Sequence, residues 1–250
     1  MAGCFKLNPE FVEDGSTSEE TGPTGQTGDP SDTGPPDVSR ITEGLQVLYV
    51  FDDAACEMAG TVTAREGPDL RLEVPSCAQC GAEGLRVRLD YDPMVQMCDE
   101  LGIEPSAPIE VGPGVGFTVE LWVTTPTGDD GVVLDFGTNL ELHVDPGRFI
   151  NLRHRTGDCS VALTERADGA TAQHVAATYA EGTLRLYANE SANQCMVSIT
   201  PEDLDPLRIG FDSSRRWDGA IELLAIYDRP LDYAEYAQNN SIGPWPPGSP

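Results

Sequence analysis

Apolar and polar side chains alternate with a period of two through most of the chain, the mark of strands whose alternate residues face a core. The pattern is clearest at residues 117–124, where Phe117, Val119, Leu121 and Val123 share one face and Thr118, Glu120, Trp122 and Thr124 the other. That alternation predicts one covered face and one wetter face. Residues 44–52 set Leu45, Val47, Tyr49 and Phe51 against Gln46, Leu48 and Val50, which predicts a strand buried on most of its length. Short strands are expected at residues 61–65, 70–74, 85–89 and 207–211, a turn of helix at 94–100, and a longer strand with few charges at 220–227.

Two hairpins follow from the same pattern. Around Asp145-Pro-Gly-Arg148, pairing Val144 with Ile150 sets Leu142 beside Leu152 on a core face and Glu141 beside Arg153 on the outer face. A slip of one residue destroys both matches. This register puts His154 with Leu140 and Leu142, as a core or rim side chain. Residues 174–179 and 183–189 form the second hairpin, with Gly182 supplying the positive φ of its turn. Near the C-terminus Asp228, Arg229 and Pro230 stop a ladder, because proline cannot donate to it. Asp232 then stands three residues before Glu235, a capping-box spacing that opens a short helix through about Gln238. Many short strands and one terminal helix make the class all-β, a two-sheet antiparallel sandwich.

The closing stretch carries a resemblance. A short strand, the turn Arg215-Arg216-Trp217-Asp218-Gly219, an apolar strand ending in Tyr227-Asp-Arg-Pro-Leu231 and a short helix with Ala234-Glu235 follow one another. This order resembles the end of bacterial LamG-like jelly-roll domains, of the concanavalin A-like lectin and glucanase superfamily. The likeness continues upstream through His174-Val-Ala-Ala-Thr-Tyr179, Gly182-Thr-Leu-Arg-Leu-Tyr-Ala-Asn189 and Phe117-Thr-Val-Glu-Leu-Trp122. In those relatives the second of these ends in Asn-Gly, where this chain has Asn189-Glu190. The resemblance spans roughly Leu45 to Asn240 and implies a jelly roll that binds carbohydrate, extracellular matrix or other proteins.

Composition changes the picture at the N-terminus. Residues 13–39 are Gly, Ser, Thr, Pro, Asp and Glu with scarcely an apolar side chain, and carry seven acidic residues and no basic one before Arg40. Such a segment cannot bury enough surface to offset its ordering entropy, so residues 1–40 are expected to be a linker, residues 41–240 the domain and 241–250 a Pro-rich tail. As a flexible coil the linker would span roughly 30 Å. Met1-Ala-Gly-Cys4 looks like the end of a bacterial lipobox. The expectation is a lipidated Cys4 and an exported lipoprotein at the outer membrane or cell surface, with the membrane reached only through that anchor.

The net charge of −27 and a pI near 4.1 make nucleic acid and anionic membrane surfaces poor partners. The acidity also suits Ca²⁺ as the one candidate cofactor, although the chain has no D-x-[DN]-x-[DN]-G loop. Apart from Cys4 there are six cysteines, Cys56, Cys77, Cys80, Cys98, Cys159 and Cys195. An even number beside export features reads as disulfides, with Cys159 to Cys195 the expected pair and the others open. Cys77-Ala-Gln-Cys80 also has zinc-knuckle spacing, but without a second such pair or a nearby histidine.

Glycosidases of the superfamily place acids on one strand as Glu-x-Asp-x-x-Glu, so that a nucleophile and an acid flank the scissile bond. No strand here carries that triplet, and the acids of Glu202-Asp203-Leu-Asp205 read as a loop. Gly-x-Ser-x-Gly and His-Glu-x-x-His are also absent, which leaves the chain without a catalytic set. The expectation is a non-catalytic domain that binds an extracellular glycan or protein. Its candidate contacts are Arg215 and Arg216, able to hold a carboxylate or sulfate, and Trp217, which serves either a ligand or the core. A glycoside hydrolase or lyase and a structural envelope lipoprotein are the alternatives. Asn189 and Asn239 begin Asn-x-Ser sequons, which are idle in a bacterial protein.

Overall fold

The computed structural model describes residues 39–52, 54–56, 61–72, 78–81, 84–87, 103–107, 109, 116–125, 131–136, 140–145, 149–154, 157–163, 172–199, 207–209, 217 and 219–244. Among them are sixteen strands and one helix. In chain order the strands are β1 (Leu45–Val50), β2 (Thr61–Val62), β3 (Leu70–Leu72), β4 (Ala78–Gly81), β5 (Gly84–Val87), β6 (Ile103–Pro105), β7 (Phe117–Thr124) and β8 (Gly131–Phe136). They continue as β9 (Leu140–Val144), β10 (Phe149–His154), β11 (Gly157–Ala162), β12 (Gln173–Ala180), β13 (Thr183–Ala188), β14 (Ser191–Met196), β15 (Leu207–Ile209) and β16 (Ala220–Tyr227), and the helix is α1 (Tyr233–Ile242).

The strands form two eight-stranded antiparallel sheets. Sheet A runs β14-β13-β12-β7-β16-β5-β4, with β1 also on β16, and sheet B runs β11-β10-β9-β8-β15-β6-β3-β2. One core fills the space between them. Val47, Tyr49, Leu121, Leu186 and Leu224 come from sheet A, and Leu134, Leu142, Ile150 and Leu152 from sheet B. This is the two-layer sandwich that the alternation calls for.

The register of β9 on β10 follows the hydrophobic match: Val144 faces Ile150, Leu142 faces Leu152, Glu141 faces Arg153, and His154 pairs with Leu140 on the buried side. The β12–β13 turn has two positive φ values, +49° at Glu181 and +79° at Gly182, the twist a two-residue hairpin needs. Asp232 caps α1 as its spacing predicts: its carboxylate accepts from Glu235 N at 2.9 Å, and Glu235 accepts from Asp232 N at 3.0 Å. The helix runs on to Ile242, past the predicted end at about Gln238.

Two disulfides lie among the described residues. Cys159 in β11 is bonded to Cys195 in β14, so the edge strands of the two sheets are joined. Cys56, in the loop after β1, is bonded to Cys80 in edge strand β4, which takes Cys80 out of the zinc-knuckle reading. Cys4, Cys77, Cys98, the expected linker over residues 13–38 and the helical turn at 94–100 lie outside the described residues. Among the described residues no helix is long and apolar enough to cross a membrane.

Two expectations are corrected. The second face of β7 is not wet: Thr118 and Glu120 are both fully buried, because α1 and residues 39–43 lie over that side of sheet A. Strands β4, β6, β8, β11 and β14 are also additional to those the alternation picks out. β14 reads SANQCM, a polar edge strand whose apolar content is too thin to signal itself.

Candidate functional site

Glu120 sits at the middle of β7 with no solvent exposure, and a buried charge of this kind persists only if it is paired and hydrogen-bonded. A carboxylate offers roughly four lone-pair sites, and all are used. Oε1 accepts from Arg40 at 2.5 Å and lies 2.8 Å from His174 Nε2, which must carry the hydrogen because the carboxylate has none to give. Oε2 accepts from Asn239 Nδ2 at 2.8 Å and from the Tyr227 hydroxyl at 3.2 Å, a hydroxyl also 3.2 Å from the Ile41 carbonyl. Burial alone would push the Glu120 carboxyl up, but the bond from His174 and the charge of Arg40 hold it below its ordinary value. Burial and the neighbouring Glu120 charge push the Tyr227 hydroxyl up.

Rings complete this layer. His174 stacks between Trp122, 5.0 Å away, and Tyr236, 4.5 Å away, and Tyr236 stacks in turn on Tyr187 at 4.7 Å. The Glu120 carboxylate and the groups bonded to it are spent on one another, so this is a cement that fixes α1 and residues 39–43 to sheet A, although His174 Nδ1 and Trp122 Nε1 are buried in it without a hydrogen-bond partner. Sequence reasoning missed it because its members lie on β7, β12, β13, β16, α1 and the segment before β1, with directly bonded partners as far as 198 residues apart. The one local signal was a glutamate in the middle of an otherwise uncharged strand. Both sequon asparagines are committed as well: Asn239 is fully buried on Glu120, and Asn189 accepts from His174 N at 3.1 Å.

The rim turn fares differently. Arg215 and Arg216 lie outside the described residues. Trp217 is corrected from candidate ligand contact to core residue, because its ring is 2 % exposed and packs in the core between the sheets. The spacing Trp217-x-Gly219 has a steric cause: a Cβ at Gly219 would come within 2.2 Å of the indole and 2.3 Å of the Thr124 carbonyl. Trp217 and Gly219 therefore report the fold.

On sheet B, Arg208, Asp135, Glu141, Arg153 and Asp158 fall in one in-register row across β15, β8, β9, β10 and β11. They share the outer face, since Leu142, Ile150 and Leu152 alternate with them into the core. The next row holds Val132, His143, Asn151 and Ser160, and beyond it Phe149 faces Ala162. Val132, Asp135 and His143 are covered, whereas the β10 and β11 end is open: Phe149 is 43 % exposed and Asp158 is exposed. Asp145 orients this end, accepting from Phe149 N at 3.1 Å and from Asn151 Nδ2 at 3.2 Å. Among the described residues Glu141, Arg153 and Asp158 make no ion pair or side-chain hydrogen bond, and nothing donates to Asn151 Oδ1.

An open aromatic ring beside uncommitted donors and acceptors can receive a ligand, which distinguishes this strip from the closed layer on sheet A. Among the described residues there is no group of three or more His, Cys, Asp or Glu placed to hold a metal ion.

Comparison with known proteins bears on the fold. The chain is similar over 78 % of its length to a Trypanosoma rangeli sialidase in covalent complex with 2,3-difluorosialic acid, at 16 % identity and a TM-score of 0.53. A second structure of the Trypanosoma rangeli sialidase covers 82 % of the chain at 15 % identity and a TM-score of 0.53. The match takes in 32 % and 34 % of those sialidase chains, so this chain spans about a third of their length. At such identities the likeness is one of fold alone. No curated protein matches the chain. The Laminin_G_3 family model, described as concanavalin A-like lectin/glucanases superfamily, matches residues 104–236, more than half of the sequence, and the chain belongs to that family.

Proposed function

We propose that this chain is a non-catalytic, surface-tethered recognition domain that binds an extracellular glycan or protein along the outer face of β9, β10 and β11. The observation that carries this reading is the open strip itself: Phe149 exposed beside Asn151, Arg153, Glu141 and Asp158, whose polar groups are not spent on one another. The disulfides agree with an oxidising compartment. Cys4, in Met-Ala-Gly-Cys, is the proposed site of a lipid anchor in a bacterial outer membrane or cell surface, and incorporation of labelled fatty acid that Cys4→Ser abolishes is its test. Screening the purified chain on a glycan array and against extracellular matrix proteins, with and without Ca²⁺, tests the function. Saturable binding is the expected result, and its absence from every arm of the screen sinks the reading.

A second reading has one specific observation in its favour. Asp135 and Glu141 are direct cross-strand neighbours on the outer face of sheet B, a pairing of acids that no single strand contains. Directly opposed side chains have Cβ atoms about 5 Å apart, close to the carboxylate separation in retaining glycosidases. Against it, Arg208 stands opposite Asp135 and Arg153 opposite Glu141, so each acid has a cation on its far side. A glycosidase needs one of its pair kept protonated. Burial pushes the Glu222 carboxyl up, partly offset by a hydrogen bond from Thr124, but Glu222 is on sheet A, away from both. Release of reducing sugar from a polysaccharide, lost in Glu141→Gln, would establish the enzyme.

A further inference from the structure

We infer that the strip on β9, β10 and β11 selects uncharged glycans and rejects sialylated and sulfated ones; this rests on the recognition reading above. The reason lies in the order of charges. Arg153 is the one cation of the open strip among the described residues, and it stands between Glu141 on one neighbouring strand and Asp158 on the other. Strands lie about 4.8 Å apart, so an anion that approaches the guanidinium meets two carboxylates at nearly the same distance. Asp145, at the Phe149 and Asn151 end, adds a third. The net charge of −27 extends the same sign over the whole molecule, which slows the arrival of any anionic ligand.

The row suits hydroxyl groups. Across the sheet it presents an acceptor at Glu141, a donor at Arg153 and an acceptor at Asp158. A sugar hydroxyl both donates and accepts, so a saccharide laid across the strands can satisfy all three in turn. Asn151 fits the same pattern: its amide nitrogen is held by Asp145, which fixes the plane and aims a free Oδ1 acceptor from the next row. Phe149 supplies the apolar surface on which the C–H face of a pyranose can rest. A basic peptide would satisfy the carboxylates but would set its charge against Arg153 and leave the ring and the amide unused.

The test is an array that holds neutral, sialylated and sulfated glycans, probed with the full chain and with three variants. The unaltered chain should bind neutral glycans only. Phe149→Ala and Asn151→Ala should each weaken that binding about tenfold, the loss expected when one well-placed contact is removed. Glu141→Gln combined with Asp158→Asn should admit sialylated glycans that the unaltered chain refuses, because Arg153 is then left unscreened by its neighbours. Circular dichroism melting of each variant checks that the fold persists. Preference of the unaltered chain for sialylated or sulfated glycans overturns the inference while leaving the recognition domain intact. Neutral binding that survives both Phe149→Ala and Asn151→Ala overturns the assignment to this strip. Binding to a matrix protein and to no glycan overturns it also, and binding to nothing sinks the recognition reading itself.

Discussion

The outer faces of the two sheets handle charge in opposite ways. On sheet A a carboxylate is taken fully out of water, and Arg40, His174, Tyr227 and Asn239 fill its acceptor positions. On sheet B, Glu141, Arg153 and Asp158 stand side by side on adjacent strands and stay unbonded to one another. Completed bonding makes the first group part of the scaffold, since any ligand would have to break it. Incomplete bonding leaves the second exchanging with water, and a ligand can take the water's place at little cost. What separates a structural polar cluster from a face open to a ligand here is whether its bonds are already made, and the number of charges does not decide it.

Substitutions should divide along the same line. Glu120→Ala leaves the partly buried Arg40 and the fully buried His174 side chains without their carboxylate and should cost about 3–5 kcal/mol, as removal of one partner from a buried pair does; urea unfolding measures it, and a loss near zero would mean the layer is not cement. Acid probes the same group without mutation. Because the folded state holds the Glu120 carboxyl low, its stabilisation is complete above the ordinary carboxylate value of about 4.3 and is lost as pH falls through the lower folded value. Urea midpoints should therefore drop below about pH 4, and Glu120→Gln should flatten that limb.

Smaller effects follow. Tyr236→Phe keeps the ring stack but removes a hydroxyl that donates to the Asn189 carbonyl at 2.9 Å, which should cost about 1 kcal/mol. Asn151→Ala and Arg153→Ala, on the open strip, should change stability by about 0.5 kcal/mol or less. A large loss at either would erase the contrast between the two faces.

The sandwich was legible because its signals are local. Phe117 to Thr124 declares a strand by its own alternation, Glu141 and Arg153 declare a register, and Asp232 with Glu235 declares a helix start. The Glu120 layer was not legible, since nothing near Glu120 names Asn239 or Arg40 as its partner; only the fold brings them together. Trp217 could be read two ways for a related reason. Beside two arginines an aromatic serves either a ligand or the core, and its burial and the close approach of its ring to Gly219 decide for the core. The strip on sheet B was half visible: the hairpin register gave Glu141 opposite Arg153, but the addition of Asp158 required β11, whose sequence GDCSVA carries little alternation.

Residues 39–41 are fastened at five points, by Gln238 to the Ser39 carbonyl, by Arg40 to Glu120 and to the Gly243 carbonyl, by Ile41 N to Asn239, and by Tyr227 to the Ile41 carbonyl. A pull on the chain ahead of Ser39 is shared among these anchors in α1, β7 and β16 before it can start to unzip β1 from its partner. The fastening works as strain relief does on a cable. It also sets a direction: Ser39 and Gly243 lie together on the sheet A side, the face of the sandwich opposite the Phe149 strip.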